Sequence, residues 1–375
     1  SILETKNSII FSNLTSVTLP NDLSSIPKSL FQNCSKLSEI NLPSLVKNIE
    51  SYAFAGCSSL IEISIPNSVI SIDNSSFSGC SSLNNIKIPS SVVKIGNFSF
   101  SKCGSLKKIV IPSSVTKIGD GCFNECSSLT KIKIPTSIDE IGNKLFQRCS
   151  SLKDINIPNS VKSIGNYSFY QCSSLEKVFI SDSVKKIGDY SFYKCELLRE
   201  FVIPDSVESI GKYSFGCCSS LKTIKIKEKA ISDSVLFIGD QSFAGCSSLE
   251  KITINPYATQ FGNNIFNNCN QLKHLVIVTN TEEIGKFDQG QFPNITEISF
   301  LSSATSIGES AFSGLSKLTK ITIPKTIEII GESAFNGCSL LKGFSIPESV
   351  KSIEKSSFKG CSSLTEIKIP SSIKK

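Results

Sequence analysis

The chain of 375 residues lacks the side chains on which most catalytic and metal sites depend. It has a single histidine, His274, and neither methionine nor tryptophan. Histidine is the side chain whose charge changes near neutral pH, and it is the commonest metal ligand. The G-x-x-x-x-G-K-[ST] phosphate loop and the G-x-S-x-G nucleophile motif are also missing. These absences predict a protein that is not an enzyme and that has no cofactor and no metal site.

Long hydrophobic runs are missing as well. No stretch of eighteen apolar residues occurs, so we predict no transmembrane segment in this chain. A hydrophobic share of 39% nevertheless excludes a disordered, solvating chain. Because the sequence begins with Ser1 rather than Met, we expect a fragment or a mature form, and the absence of a signal peptide decides nothing.

The sequence is dominated by an internal repeat of 23 residues. Cysteines recur at this interval from Cys34 to Cys218, and the series resumes at Cys246 after one step that is five residues longer. A column of phenylalanines repeats at the same interval. About sixteen units fill essentially the whole chain, so we predict one solenoid domain over residues 1–375, with irregular repeats at about 227–301.

Each unit reads as a short strand followed by turns. In the unit that begins at Cys57, Ile63 and Ile65 flank Ser64, and this alternation predicts a half-buried strand. The proline that follows lacks an N–H and ends strand pairing. The glycine of the next motif, S-V-x-x-I-G, is expected to serve a turn with positive φ. A unit this short cannot enclose its own core, so the units must stack and join their strands into one parallel sheet.

The pattern L-x-x-I-x-I-P-x-S-V-x-x-I-G-x-x-x-F-x-x-C resembles the BspA-like leucine-rich repeat family, also called the Treponema pallidum type. The resemblance implies a repeat solenoid: a leucine-rich-repeat horseshoe with one parallel β-sheet on the concave face and short turns or 3-10/helical segments on the convex face. The family's usual setting implies a cell-surface or secreted protein that takes part in adhesion and matrix-protein binding. The residues themselves leave a cytoplasmic location open.

Thirteen of the fifteen cysteines share one column, mostly before Ser-Ser-Leu. Free cysteine behaves as a small hydrophobe, so buried structural thiols are the favoured interpretation, with disulfides or a metal site as alternatives. Cys217, directly before Cys218, is the first oxidation site if either is exposed. A serine column that includes Ser114 and Ser183 is interpreted as a hydroxyl ladder that satisfies turn amides. His274 falls on an outward strand position and is interpreted as solvated.

Positive charge is concentrated in three columns, at four, five and seven places after the Cys position. These columns contain 15 basic and 8 acidic residues, whereas the rest of the chain contains 24 of each. Apolar side chains interrupt the lysines, and exposed apolar groups on a charged face are uncommon unless a partner covers them. The predicted ligand-binding residues on the concave face are Lys87, Lys108, Val110, Lys131, Lys133, Lys177, Phe179, Val202 and Lys225. The alternative is that the lysine stems solvate the sheet and that Phe179 is tolerated.

Two function hypotheses follow. The first is a non-enzymatic adhesion module whose basic face engages a host or matrix protein or an anionic glycan. A nucleic-acid partner is disfavoured, because base stacking needs several exposed aromatics and this face has one. The second is a structural solenoid whose uncapped ends stack end to end in homo-association, or a spacer in a larger ectodomain.

Overall fold

The structure of the protein, a computed structural model, describes residues 11–226, 236–256, 259–279, 281–287 and 289–374. Its contacts divide the chain into two compact units. Unit 1 comprises Ser1–Arg199 and Ser209–Ser219, and unit 2 comprises Glu200–Glu208 and Ser220–Lys375. That the two units form the single predicted domain stays a prediction.

Short β-strands recur twice in each turn of the repeat. In chain order they are β1 Ser16–Val17, β2 Ser25–Ile26, β3 Glu39–Ile40, β4 Asn48–Ile49, β5 Glu62–Ser64, β6 Ser71–Ile72, β7 Asn85–Lys87, β8 Lys94–Ile95, β9 Lys108–Val110, β10 Lys117–Ile118, β11 Lys131–Lys133, β12 Glu140–Ile141, β13 Asp154–Ile157, β14 Ser163–Ile164, β15 Lys177–Ile180, β16 Lys186–Ile187, β17 Glu200–Ile203, β18 Ser209–Ile210, β19 Thr223–Ile226, β20 Leu236–Ile238, β21 Lys251–Ile254, β22 Thr259–Phe261, β23 His274–Thr279, β24 Glu283–Ile284, β25 Glu297–Ser302, β26 Ser306–Ile307, β27 Lys320–Thr322, β28 Ile329–Ile330, β29 Phe344–Ser345, β30 Ser352–Ile353 and β31 Ile367–Lys368. The odd-numbered strands form a first row and the even-numbered strands a second row. A 3-10 helix spans Gln289–Gln291 and is the one helical element among the described residues.

Within each row, a strand pairs in parallel with the equivalent strand of the next turn. Within unit 1, the first row forms the sheets β1-β3, β5-β7-β9-β11 and β13-β15. The second row of this unit forms the sheet β2-β4-β6-β8-β10 and the run β12-β14-β16-β18. Within unit 2, the first row forms β17-β19-β21-β23-β25-β27 and β29-β31, and the second row forms β20-β22 and β24-β26-β28-β30. The predicted parallel solenoid is confirmed, whereas the second row of strands was not predicted.

The pattern of isoleucines explains the first row. In β5, Ile63 is buried while Glu62 and Ser64 are exposed, as the alternation predicts. The role of proline as a strand terminator is visible where it is replaced. Val278 and Leu301 occupy the proline column in β23 and β25, and these two strands are six residues long and paired to their last residues.

The phenylalanine column forms the centre of each unit. In unit 1, the rings from Phe31 to Phe215 stack with successive centroids 5.1 to 5.9 Å apart. In unit 2, the column position at Gln289 carries no aromatic ring, and Phe292 stacks on Phe266 at 5.3 Å and on Phe287 at 5.3 Å instead. Burial of each such ring contributes roughly 1.5–3 kcal/mol, so this column adds to the stability given by the buried leucine and isoleucine columns around it.

The glycine of the I-G step does not serve a turn with positive φ, so that prediction is wrong. A Cβ on Gly119 would lie 2.3 Å from the backbone nitrogen of Asn97 in the preceding turn. Glycine is therefore required for close approach of two backbones. Positive φ occurs two residues after this glycine position, as at Tyr190 (φ 54°), and just before the cysteine column, as at Lys194 (φ 57°).

Two polar ladders connect successive turns. Ser114 Oγ donates to the carbonyl oxygen of Val92 at 2.8 Å, and Ser183 Oγ donates to that of Val161 at 2.8 Å. The serine ladder therefore satisfies carbonyl groups of the preceding turn rather than the predicted amides. The second ladder, which was not predicted, lies directly after the I-G glycine. There the side-chain oxygen of one turn accepts from the backbone N–H of the next, as Asn97 Oδ1 does from Asp120 N at 2.9 Å.

Candidate ligand-binding face

The outward side chains of the first-row strands form one face in each unit, which we call the strand face. In β7, β9 and β11 of unit 1 the middle residue is buried and the two flanking residues are exposed. The flanking residues include the predicted Lys87, Lys108, Val110, Lys131 and Lys133. Because alternation fixes which side chains point outward, the sequence alone identified the exposed set correctly at these positions.

Strand pairing places these lysines next to one another around an apolar side chain. Lys131 pairs with Lys108, and Val110 pairs with Lys133 on one side and with Lys87 on the other. Adjacent strands lie about 4.8 Å apart, so the four ammonium groups belong to one local cluster. Val110 itself is 75% exposed. These four lysines and the exposed Val110 side chain form a positively charged patch, which we call the lysine patch.

The second part of the face in unit 1 combines an aromatic ring with mixed charge. In the pair β13 and β15, Phe179 lies opposite Asn156, and Lys177 lies opposite Asp154. Phe179 is 59% exposed. An outward phenylalanine gains little from burial within the chain itself, so its ring is available to a partner.

The two remaining predicted residues belong to unit 2. Val202 in β17 pairs with Lys225 in β19, and Val202 is 41% exposed. Directly before β19 and β21, Lys222 forms an ion pair with Glu250 at 3.8 Å. This lysine is thus neutralised locally, whereas Lys225 pairs along the sheet with the uncharged Thr253.

A shallow hollow lies on the strand face of unit 1 before the lysine patch. Its volume is about 400 Å³, and its lining includes Glu39, Glu62, Asn85 and Lys87. The face thus changes from acidic to basic along successive turns. A ligand that lies along it meets both signs of charge, which favours a defined orientation.

The groups that could support catalysis or metal binding are few. His274 is half-buried, and its Nε2 lies 3.0 Å from Ser299 Oγ. Burial, together with nearby Lys251, lowers the pKa of His274. Across the described ranges, no group of three His, Cys, Asp or Glu side chains could hold a metal ion. In the same part of the chain, no helix is long and apolar enough to cross a membrane.

All fifteen cysteines are free, and the column members are buried apart from the half-buried Cys361. Most thiols of the column donate to a carbonyl of the preceding turn: Cys149 Sγ, for example, donates to Phe123 O at 3.1 Å. Burial raises the pKa of Cys126 to about 12. Such thiols stay protonated and act as small apolar fillers. Cys217 differs, because it is half-buried and its Sγ lies 3.6 Å from the hydroxyl of Tyr193.

One surface feature escaped the sequence analysis. Five tyrosines gather in three consecutive turns of unit 1, in positions that carry small or polar residues in most other turns. The signal was the motif Y-S-F-Y, which occurs at 167–170 and again at 190–193. The phenylalanine of this motif belongs to the buried phenylalanine column, so the repeat pattern alone does not distinguish the tyrosines beside it.

Comparison with known proteins gives a consistent result. The family model for the BspA type leucine rich repeat region matches residues 6–130, 117–232, 225–293 and 287–375, in 6 copies. A leucine-rich repeat protein from Bacteroides ovatus is similar to the chain, with 32% identity, a TM-score of 0.61, and coverage of 96% of this chain and 82% of that one.

Two further solved structures are less similar. The T. pallidum leucine rich repeat protein has 28% identity and a TM-score of 0.37, covering 49% of this chain and 78% of its own. A leucine rich cell surface protein from Faecalibacterium prausnitzii has 25% identity and a TM-score of 0.40, covering 86% and 83%. Comparison with curated proteins gives no significant match.

Proposed function

We propose that this chain, which belongs to the BspA-type leucine-rich repeat family, is a non-enzymatic binding protein that engages its partner through the strand face. The partner is a host or matrix protein or an anionic glycan. The family's usual setting supports a location at the cell surface or outside the cell. Binding scaffolds of stacked repeats use such faces because successive turns present side chains in register over a long distance.

The observation that carries this proposal is the exposure of Phe179 and Val110 among lysines. A face whose only role is solvation has no use for an aromatic ring that is 59% exposed. Aromatic groups surrounded by polar residues are typical of the anchors on which binding energy concentrates. Phe179 and Val110 are therefore proposed as apolar contacts, with Val202 as their counterpart in unit 2.

The lysines supply long-range attraction. Lys108, Lys131, Lys133 and Lys177 in unit 1, and Lys225 in unit 2, raise the local positive potential of the face. Such a field increases the association rate of an anionic partner and makes binding sensitive to salt. Lysine stems that merely solvate the sheet would produce no saturable, salt-dependent binding.

The test reverses the charge of Lys131, Lys133 and Lys177 to Glu and measures binding to heparin and to immobilised matrix proteins at several salt concentrations. We expect binding by the native protein to weaken as salt increases, and binding by the variant to be lost. A matched control reverses Lys94, Lys117 and Lys186, which are exposed on the second-row strands of unit 1. Equal loss in both variants, or binding unchanged in the first, rejects the strand face as the site.

A further variant tests the apolar anchor separately from the charge. Phe179→Ser is expected to increase the dissociation rate by about tenfold, because a truncated anchor typically costs 1–2 kcal/mol. The salt dependence should stay as in the native protein, since the lysines are intact. Light scattering on the same samples at rising concentration shows whether the chain also assembles with itself.

A further inference from the structure

The five tyrosines noted above form one compact group, which we call the tyrosine cluster. It consists of Tyr167, Tyr170, Tyr190, Tyr193 and Tyr213, all half-buried and all in unit 1. One row stacks Tyr167, Tyr190 and Tyr213 with centroids 5.0 Å apart at each step. A second row stacks Tyr170 on Tyr193 at 5.3 Å. The two rows are inclined to each other by 55° to 78°.

The fold does not require these rings. In other turns of unit 1 the position of Tyr167 is filled by the non-aromatic Ser75, Gly121 and Lys144 or by the isolated rings of Tyr52 and Phe98, with the same positive φ. A bulky side chain gains nothing from a left-handed backbone and is rarer there than glycine or asparagine. Three successive tyrosines in this position, with their rings only half-buried, therefore point to a role outside the core.

Stacking determines which part of each ring reaches solvent. Both faces of Tyr190 are covered, by Tyr167 on one side and Tyr213 on the other. What remains exposed is the ring edge and the hydroxyl group. An aromatic edge carries partial positive charge and a phenol donates a hydrogen bond, so the surface attracts anions. The Cys217 thiol donates to the Tyr193 hydroxyl, and this hydrogen bond together with burial raises the pKa of Tyr193 to about 12.

The charged side chains around the cluster are mainly basic, so they also attract anions. Lys194 Nζ lies 5.9 Å from the centroid of Tyr193, and Lys212 Nζ lies 5.6 Å from that of Tyr213. Arg148 Nε donates to Gln171 Oε1 at 3.0 Å next to the turn of Tyr170, and its Nη1 forms an ion pair with Glu125 Oε1 at 3.7 Å. Across the segments 144–148, 166–171, 189–194 and 212–217 there are four basic residues and one acidic residue, Asp189. Because Arg148 is paired with Glu125, the cations of the rim are Lys144, Lys194 and Lys212. The cluster is therefore an aromatic patch with a cationic rim.

We propose that the tyrosine cluster is a second recognition surface, distinct from the strand face, which docks an acidic peptide segment of a partner protein. Carboxylates accept from the tyrosine hydroxyls and from Lys194 and Lys212, while apolar side chains of the segment pack against the ring edges. Sugars and nucleobases prefer to stack on open aromatic faces, whereas both faces of Tyr190 are covered and each of the other four rings has one face against a neighbouring tyrosine. Tyrosine is enriched on protein-binding surfaces, because its side chain is rigid and amphipathic and has only two rotatable bonds.

The experiment uses fluorescent twelve-residue peptides in which six, three or none of the positions are Asp or Glu, and measures fluorescence anisotropy with the full chain. We expect affinity to increase with the number of carboxylates and to decrease with salt. Replacing Tyr167, Tyr190 and Tyr213 by Ser, the residue that several other turns carry there, should weaken binding by at least about tenfold. The matched control is Tyr52→Ser with Phe98→Ser, which changes the same column elsewhere in unit 1.

A second variant guards against misfolding. Replacing the same three tyrosines by Phe keeps the stack and removes the hydroxyl groups. This variant should bind the acidic peptides more weakly than the native protein does, but by a smaller factor than the Ser variant. The strand-face reversal at Lys131, Lys133 and Lys177 should weaken peptide binding no more than the reversal of Lys94, Lys117 and Lys186, which changes the net charge by the same amount, so the two proposals can fail separately. The proposal is overturned if acidic peptides bind no better than neutral ones, if the control variant loses as much, or if heparin or oligo-dT binds through the tyrosines and the peptides do not.

Discussion

Single side chains in this protein are constrained mainly by the equivalent residue one turn away. Cys172 Sγ donates to Phe146 O at 3.1 Å, and the same contact recurs between Cys195 and Phe169 at 3.3 Å. Because each thiol has a carbonyl acceptor and a buried position, its ionisation is suppressed. The one cysteine whose position differs in both respects is Cys217, which lies on the surface side of the column.

This difference predicts the order in which the thiols react. Iodoacetamide at pH 8 should modify Cys217 first and the half-buried Cys361 next, because reaction needs an accessible thiolate. The buried thiols should react only after unfolding in urea. Mass spectrometry of peptides at timed intervals measures the order. Cys217→Ser should remove the fast phase and Cys149→Ser should retain it; modification of Cys149 at the rate of Cys217 would contradict the burial argument.

At the scale of the repeat element, the backbones of adjacent turns approach each other closely at the I-G glycine. Gly119→Ala should destabilise the protein by about 1–3 kcal/mol, because the new Cβ meets the backbone of Asn97 rather than a movable side chain. Gly104→Ala is the matched control, since its Cβ would lie 3.6 Å from Ser127 Oγ, an ordinary contact. Urea unfolding of both variants measures the difference. Equal stability of the two would show that the turns can move apart without cost.

The strands and turns also show how much of the fold could be predicted from the sequence. The first-row strands were predictable, because three or more residues of alternation fix one buried face, as at Ile132 between Lys131 and Lys133. Most second-row strands have two residues, such as Lys117–Ile118, and so are too short to show a period. The role of the I-G glycine was misjudged because its constraint comes from the neighbouring turn, which no local pattern reveals.

The candidate site was predictable only in part, for the same reason. Alternation identified Lys131 and Phe179 as outward residues, but strand register decides that Val110 lies between Lys87 and Lys133. The tyrosine cluster needed the structure, because ring stacking depends on how turns overlap. Residues 23 apart, such as Tyr167 and Tyr190, gave the only sequence signal of that overlap.

At the scale of the whole molecule, the buried thiols couple stability to alkaline pH. Burial raises the pKa of Cys57, Cys126 and Cys338 from 9.0 to about 12. Between about pH 9 and 12 the unfolded chain therefore releases protons that the folded chain keeps, and the free energy of unfolding falls as pH increases. Below about pH 9 this stabilisation is fully present.

Urea unfolding at pH 8, 9, 10 and 11 measures this dependence. We expect the midpoint to fall above about pH 9, because the free energy of unfolding decreases by up to about 1.4 kcal/mol per pH unit for each shifted thiol. Cys126→Ala should lower stability at pH 8 but show a shallower decline, since one titrating group has been removed. A midpoint independent of pH up to 11 would mean that the thiols ionise equally in both states.

Side chains that donate a hydrogen bond to the backbone of the adjacent turn have acceptors 22 to 27 residues away in the sequence. This regular spacing has an evolutionary consequence. Because these contacts join each turn to its neighbour, recombination between near-identical gene segments can add or remove one complete repeat and leave the remaining contacts as they were. Such an event would lengthen or shorten the distance between the lysine patch and any site further along the chain. Lineages could thus adjust the reach of the protein without redesigning its interior.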